Sequence, residues 1–177
     1  GLAAATIMAT KWDRKSPFIN PMCGSGTIAI EAVLLATNRK PGLFRTNYSF
    51  MHFIGYDQEV YRKELEIIRQ QVTEVPDLIV IASDISEDAI EIAKANAGSA
   101  GVKYLIRFKQ CDFADTFIHE DRPGVIYFNP EYGERLGDIS ELELTYARIG
   151  DFMKKKCRGY TGYVFTGNKK KKKKIGL

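Results

Sequence analysis

Apolar residues along this chain fall into short runs, each ending in small or polar residues, and the runs alternate with longer stretches of helical periodicity. The first run, Phe18-Ile19, opens into Asn20-Pro21-Met22-Cys23-Gly24-Ser25-Gly26-Thr27, and Ile28 to Ala36 is then apolar apart from Glu31. This predicts a strand, a small-residue loop and a helix. Upstream, Leu2 to Thr10 predicts a short apolar helix, followed by the polar loop Lys11 to Lys15. Downstream, the pattern predicts strands over Leu78 to Ala82, Tyr104 to Lys109, Val125 to Phe128 and Tyr160 to Thr166. Between them, Ser86 reads as an N-cap with Glu87 and Asp88 in the first turn, and Ala89, Ile90, Ala93 and Ala97 form the buried stripe of a helix stopped by Gly101. Leu142 to Lys155 predicts the last helix. Five strands separated by helices imply an α/β, Rossmann-like, doubly wound parallel sheet.

One interval exceeds what such a sheet needs. From Arg39 to about Pro76, Pro41 and Gly42 break the helix, an aromatic cluster follows (Tyr48, Phe50, Phe53, Tyr56, with Met51), and Gln58 to Val75 has helical spacing. The cluster reads as satellite core, with a binding platform as the alternative.

With 177 residues, 45% hydrophobic and 27% charged, the chain is expected to form one domain, residues 1–177. No stretch approaches 18 uninterrupted apolar residues, so no membrane partner is expected. Cys23, Cys111 and Cys157 are odd in number and contain no C-x-x-C pair, which favours a reducing, cytoplasmic setting over a disulfide framework. His52 and His119 are too few for a histidine-rich metal site, and no metal is expected. The net charge of +4 rests on six consecutive lysines, Lys169 to Lys174, without which it is −2. That block reads as solvated surface or as a phosphate-contacting patch aided by Lys154, Lys155, Lys156 and Arg158.

Candidate chemistry gathers where strands end. Gly24 and Gly26 permit close backbone approach to a ligand, and the helix after them begins with unpaired N–H groups. The loop lacks both the G-x-G-x-x-G spacing of a dinucleotide site and the Gly-Lys-Ser/Thr ending of a P-loop. A second stretch, Val125-Ile126-Tyr127-Phe128-Asn129-Pro130-Glu131-Tyr132, delivers Asn-Pro-x-Tyr at the end of an apolar strand. That pattern resembles the signature of S-adenosylmethionine-dependent methyltransferases acting on exocyclic amines of nucleic-acid bases. Combined with Pro21 to Ala32 and the Tyr132-Gly133-Glu134-Arg135-Leu136-Gly137 run, the chain resembles the bacterial THUMP-associated guanine-N2 methyltransferases of large-subunit ribosomal RNA, from Leu2 to Leu177.

The resemblance implies S-adenosylmethionine as cofactor and ribosomal RNA as substrate. Asn20 to Gly26 then receives the methionyl part, Asp84 the ribose hydroxyls and Ile85 one face of the adenine, while Asp112 accepts from the adenine amino group beside Phe113. Asn129 and the Pro130 carbonyl hold the target amine, Asn129 also faces the cofactor, and Tyr132 stacks on the base. Asp57 is a rival to Asp84, lying 33 residues after Gly24 rather than 60; the Asp84-Ile85-Ser86…Asn96 run favours Asp84 by resemblance.

Two positions depart from the family pattern. Glu131 replaces the second proline of Asn-Pro-Pro-Tyr, and Asn20 replaces an acid; Glu131 either points to solvent or accepts from a guanine ring N–H. Family members also carry an upstream RNA-binding domain and a terminal two-strand hairpin, and the chain is expected to be a fragment lacking both. The alternatives kept open are an adenine-N6 DNA methyltransferase and a non-catalytic RNA-binding module.

Overall fold

The computed structural model describes residues 1–39, 58–130, 138–165 and 172–175. The aromatic cluster from Tyr48 to Tyr56, Asp57, Glu131 and Tyr132 lie outside the described residues.

The strands are β1 (Phe18–Asn20), β2 (Val80–Asp84), β3 (Ile106–Gln110), β4 (Val125–Phe128), β5 (Thr161–Phe165) and β6 (Lys172–Ile175). They form one sheet in the order β3-β2-β1-β4-β5-β6. The first five are parallel, and β6 runs antiparallel to β5 with Phe165 opposite Lys172 and Gly162 opposite Ile175. The five expected strands are therefore present. The lysine block, read from sequence as solvated surface or a phosphate-contacting patch, supplies a sixth; the described residues contain this one antiparallel strand rather than a two-strand hairpin.

Strand order reverses between β1 and β4, the chain returning to the sheet centre on the other side of β1. The carboxyl ends of these two strands are the switch point at which open sheets of this kind place ligands.

Alternation along the strands divides the core in two. Phe18, Val80, Ala82, Val125 and Tyr127 point to one face, where they meet Ile7 of α1 (Leu2–Met8), Ala29, Ala32 and Val33 of α2 (Thr27–Ala36), and Ala93 and Ala97 of α4 (Glu87–Ser99). Ile19, Ile81, Ile126, Phe128 and Val164 point to the other, against Ile149, Phe152 and Met153 of α5 (Asp138–Lys156). All four residues of β4 are buried, as a central parallel strand covered on both faces requires. Each such Ile or Phe side chain contributes about 1.5–3 kcal/mol.

α3 (Gln58–Gln70) lies within the interval Arg39–Pro76. Ser86 caps α4 as its position predicts, its hydroxyl accepting from the Ala89 N–H at 3.2 Å, and Gly101 ends the helix segment with φ of 74°. α1 is tied to the sheet through the Tyr127 hydroxyl, which donates to Thr6 Oγ1 at 2.9 Å, and the Tyr163 hydroxyl, which donates to the Thr10 carbonyl at 2.8 Å. At the opposite edge, Val125 N–H donates to the Pro17 carbonyl at 2.9 Å. A Cβ on Gly124 would sit 1.9 Å from that carbonyl oxygen, so β1 and β4 can align there only around glycine. No described helix is long and apolar enough to cross a membrane.

Candidate functional site

The loop from Pro21 to Gly26 leaves β1 in tight left-handed steps, with φ of 57° at Met22, 53° at Gly24 and 83° at Gly26. Gly26 is the N-cap of α2, and a Cβ there would come within 2.9 Å of the Ala93 Cβ, so glycine lets α2 start hard against α4. Three contacts from the β2–α4 unit fix the loop. Cys23 N–H donates to the Ser83 carbonyl at 2.8 Å, Gly24 N–H donates to Asp84 Oδ2 at 2.9 Å, and Asn96 Nδ2 donates to the Ser25 carbonyl at 3.0 Å. In the sequence Asn96 stands out only as the end of the Asp84-Ile85-Ser86…Asn96 run; its tether to Ser25 is a structural finding.

Asp84 is half-buried and uses both oxygens on backbone, since Oδ1 accepts from Ser86 N–H at 2.9 Å. Each carboxylate oxygen has a second acceptor direction, so the group can still receive hydroxyl donors. Beside it Ile85 is 69% exposed, an apolar surface turned into the opening.

Across the switch point, Asn20 is fully buried and its Nδ2 donates to the Tyr127 carbonyl at 2.8 Å, joining β1 to β4. Its Oδ1 is buried without a hydrogen-bond partner among the described residues. An unsatisfied buried acceptor costs about 1–3 kcal/mol, and this one belongs to a residue lining a cleft. That cleft has a volume of about 470 Å³, within the range of small-molecule sites. It is lined by Asn20, Met22 to Ser25, Asp84 to Ser86, exposed Asn129 and buried Pro130. The structure thus brings together the glycine loop, Asp84, Ile85, Asn129 and Pro130.

Thr27 and Ile28 of α2 and Ala89 of α4 also line the cleft, and α5 supplies a further wall through Glu141, Leu142 and Thr145, which sequence reasoning missed. Their i, i+1, i+4 spacing puts them on one helical face, a signal legible only once the helix is known to begin at Asp138 rather than Leu142.

Asp112 and Phe113 are not part of the cleft wall. Phe113 is 4% exposed and packs edge-on against Phe128 and Phe152, with ring centroids 6.0 and 5.8 Å away. Asp112 Oδ1 accepts from Ala114 N–H at 3.0 Å and from Arg148 Nη2 at 2.6 Å, while the Arg148 guanidinium lies 4.6 Å from the Phe113 ring centroid. Partial burial works to raise the Asp112 pKa, but the Arg148 hydrogen bond, the Ala114 N–H and the guanidinium charge together hold it below the usual carboxylate value. This acid fastens α5 to the end of β3.

Cys23 is buried, and desolvation followed by the charge of Asp84 pushes its thiol up to about 12, so it is neutral near pH 7 and a poor nucleophile. Among the described residues no group of three or more His, Cys, Asp or Glu side chains is arranged to hold a metal ion.

Comparison with known proteins decides the family. A family model described as the RMKL-like methyltransferase domain matches residues 1–177. The chain belongs to this family. The RMKL-like domain is 35% identical, over 99% of its length, to a ribosomal RNA large subunit methyltransferase K/L of Syntrophotalea carbinolica, covering 26% of that protein. It is 34% identical, again over 99% of its length, to the enzyme of the same name from Methylococcus capsulatus, covering 24% of it. The domain therefore spans about a quarter of the length of these two relatives.

Two solved structures share the fold closely. SMU.472 complexed with SAH has a TM-score of 0.79 at 29% identity, with 93% of this chain and 43% of that one aligned. A Listeria monocytogenes protein named as a "predicted N6-adenine-specific DNA methylase" has a TM-score of 0.81 at 36% identity, with 95% and 43% aligned. The RMKL-like domain has the class I, Rossmann-like methyltransferase fold.

Proposed function

We propose that this domain uses S-adenosylmethionine to methylate an exocyclic amino group of a nucleic-acid base, and that the base is a guanine, at N2, in large-subunit ribosomal RNA. The observation that carries the reading is the convergence of Asn129 and Pro130 on the cleft that also holds the glycine loop, Asp84 and the unpartnered Asn20 Oδ1.

The residues fit the cofactor. Asn20 Oδ1 is a buried acceptor awaiting a donor, which the methionyl ammonium provides. Asp84 retains acceptor capacity for ribose hydroxyls, and Ile85 offers an apolar face to adenine. Bound S-adenosylmethionine supplies a methyl group already activated on a sulfonium centre. The chain's own task is then mainly positioning. An exocyclic amine is weakly nucleophilic because its lone pair is delocalised into the ring. The Asn129 side-chain oxygen and the Pro130 carbonyl accept its two N–H bonds and turn the lone pair toward the methyl group, with Tyr132 stacked on the base. A base so enclosed must be unpaired or flipped. Asp112 and Phe113 act from outside the cleft wall: Asp112 Oδ1 holds Arg148 and Phe113 packs on Phe152, which together anchor α5, whose Glu141, Leu142 and Thr145 line the cleft.

The ribosomal target is supported by the names of the two K/L relatives. The test is to incubate the full-length protein with undermodified ribosomal RNA and methyl-labelled cofactor, then digest to nucleosides. Label in N2-methylguanosine is expected. Label in N6-methyladenine on DNA would transfer the domain to the adenine branch, and label in 5-methylcytidine or a 2′-O-methyl nucleoside would overturn the role of Asn129 and Pro130. Calorimetry showing no heat with S-adenosylmethionine or S-adenosylhomocysteine would point instead to a non-catalytic RNA-binding module.

A further inference from the structure

The described wall of the cleft contains two carboxylates, Asp84 and Glu141, and no lysine, arginine or histidine. Asp84 is engaged with the backbone of Gly24 and Ser86. Glu141 is exposed, lines the cleft and makes no hydrogen bond or ion pair among the described residues.

Its height above the sheet follows from the fold. α5 connects the parallel strands β4 and β5, so it runs downward from the carboxyl edge of the sheet. Arg148 is pinned at that edge by Asp112, directly after β3. Glu141 precedes Arg148 by seven residues, about two turns and roughly 10 Å of helix rise. Glu141 therefore stands above the strand ends, lining the same cleft as Asn129 and Pro130. Thr145 lies between Glu141 and Arg148, one turn below Glu141 on the same wall.

A carboxylate lining a site for a polyanion disfavours phosphate, and a hydrogen-bond donor on the occupant offsets that repulsion. We propose that Glu141 is a specificity-determining residue that accepts a hydrogen bond from the ring N1–H of a guanine and thereby selects guanine over bases with an acceptor at that position. This rests on the reading of the domain as a base-amine methyltransferase. The chemistry discriminates because guanine presents N1–H next to its exocyclic amine, whereas adenine presents an N1 lone pair next to its own. A carboxylate pairs with the first edge and is repelled by the second.

The test compares full-length wild type and Glu141→Gln on a synthetic RNA spanning the guanosine that the wild type modifies. One version carries guanosine at the target and the other 2-aminopurine ribonucleoside, which keeps the C2 amine but has an acceptor at N1. The wild type is expected to prefer guanosine. Glu141→Gln is expected to lower that preference about tenfold or more, mainly by slowing the guanosine reaction, with cofactor affinity by calorimetry unchanged. An unchanged guanosine-to-2-aminopurine ratio would overturn the Glu141 assignment while leaving amine methylation intact. A fall in cofactor affinity with the ratio preserved would overturn it as well, moving Glu141 to the cofactor. Wild-type label on any atom other than the C2 amine would remove the reading on which it rests.

Discussion

Replacing Asp84 tests two roles at once, and the structure separates them. Asp84 holds the glycine loop through Gly24 N–H and its own turn through Ser86 N–H, both at 2.9 Å. Hydrogen bonds to a charged group contribute about 1.5–3 kcal/mol, but this carboxylate is only half-buried and water can replace it, so about 1 kcal/mol per bond is the fitting magnitude. Asp84→Ala should therefore cost about 2 kcal/mol over its two bonds, and the Gly24 amide, which loses one of them at about 1 kcal/mol, should exchange roughly fivefold faster. Asp84→Asn keeps one acceptor and should lose about half as much. Under the proposed ribose role, cofactor affinity should fall by about 1–3 kcal/mol in the alanine variant, because the ribose hydroxyls would lose their acceptor. The assay pairs hydrogen exchange of peptides spanning residues 20–30 with calorimetry of S-adenosylhomocysteine binding. Faster exchange with unaltered affinity would transfer the ribose role to Asp57. Unaltered exchange in Asp84→Ala would refute the clamp itself.

Three further outcomes are expected. Asn129→Ala should remove most of the methylation rate while sparing cofactor affinity, since its proposed contact with the amine would tighten mainly in the transition state; a proportional loss of both in single-turnover kinetics would contradict this. Gly124→Ala should destabilise the domain by about 3 kcal/mol, because the new methyl collides with the Pro17 carbonyl at the start of the β1–β4 pairing, and denaturant titration showing less than about 1 kcal/mol would reject the close approach. Burial pushes the Cys157 thiol from 9.0 up to about 12, so its contribution to stability is complete below pH 9 and is lost as pH rises toward 12. Cys157→Ala should accordingly flatten the alkaline limb of the stability profile, and an unchanged limb would show that the thiol does not titrate on unfolding.

The parallel sheet was legible because buried strands leave a plain trace: Val125 to Phe128 and Leu78 to Ala82 are apolar runs closed by polar turns, and the first is reproduced residue for residue as β4. The second shifts to Val80–Asp84, so that the acid ends the strand instead of following it. β6 was hidden because a lysine run carries neither alternation nor apolar side chains, and its strand state depends on pairing with β5. Phe113 illustrates the opposite difficulty. Its place after β3 suggested a ligand face, but a phenylalanine between Phe128 and Phe152 gains more from burial than from exposure. Asn20 was legible as a cleft residue, whereas its unequal use of two side-chain atoms was not, since that depends on where the Tyr127 carbonyl falls.

The central strand also sets when this protein becomes competent during synthesis. β1 has three residues, and Phe18 pairs with Val80, 62 positions later, and with Val125, 107 positions later. On its own it is too short to persist. The loop that follows β1 leans on Ser83, Asp84 and Asn96, so it cannot settle until β2 and α4 have emerged. Asn129 arrives later still. A nascent chain therefore carries its glycine loop unformed until Asn96 has emerged, and the ability to bind a ligand at the switch point appears only after Asn129, together with closure of the sheet.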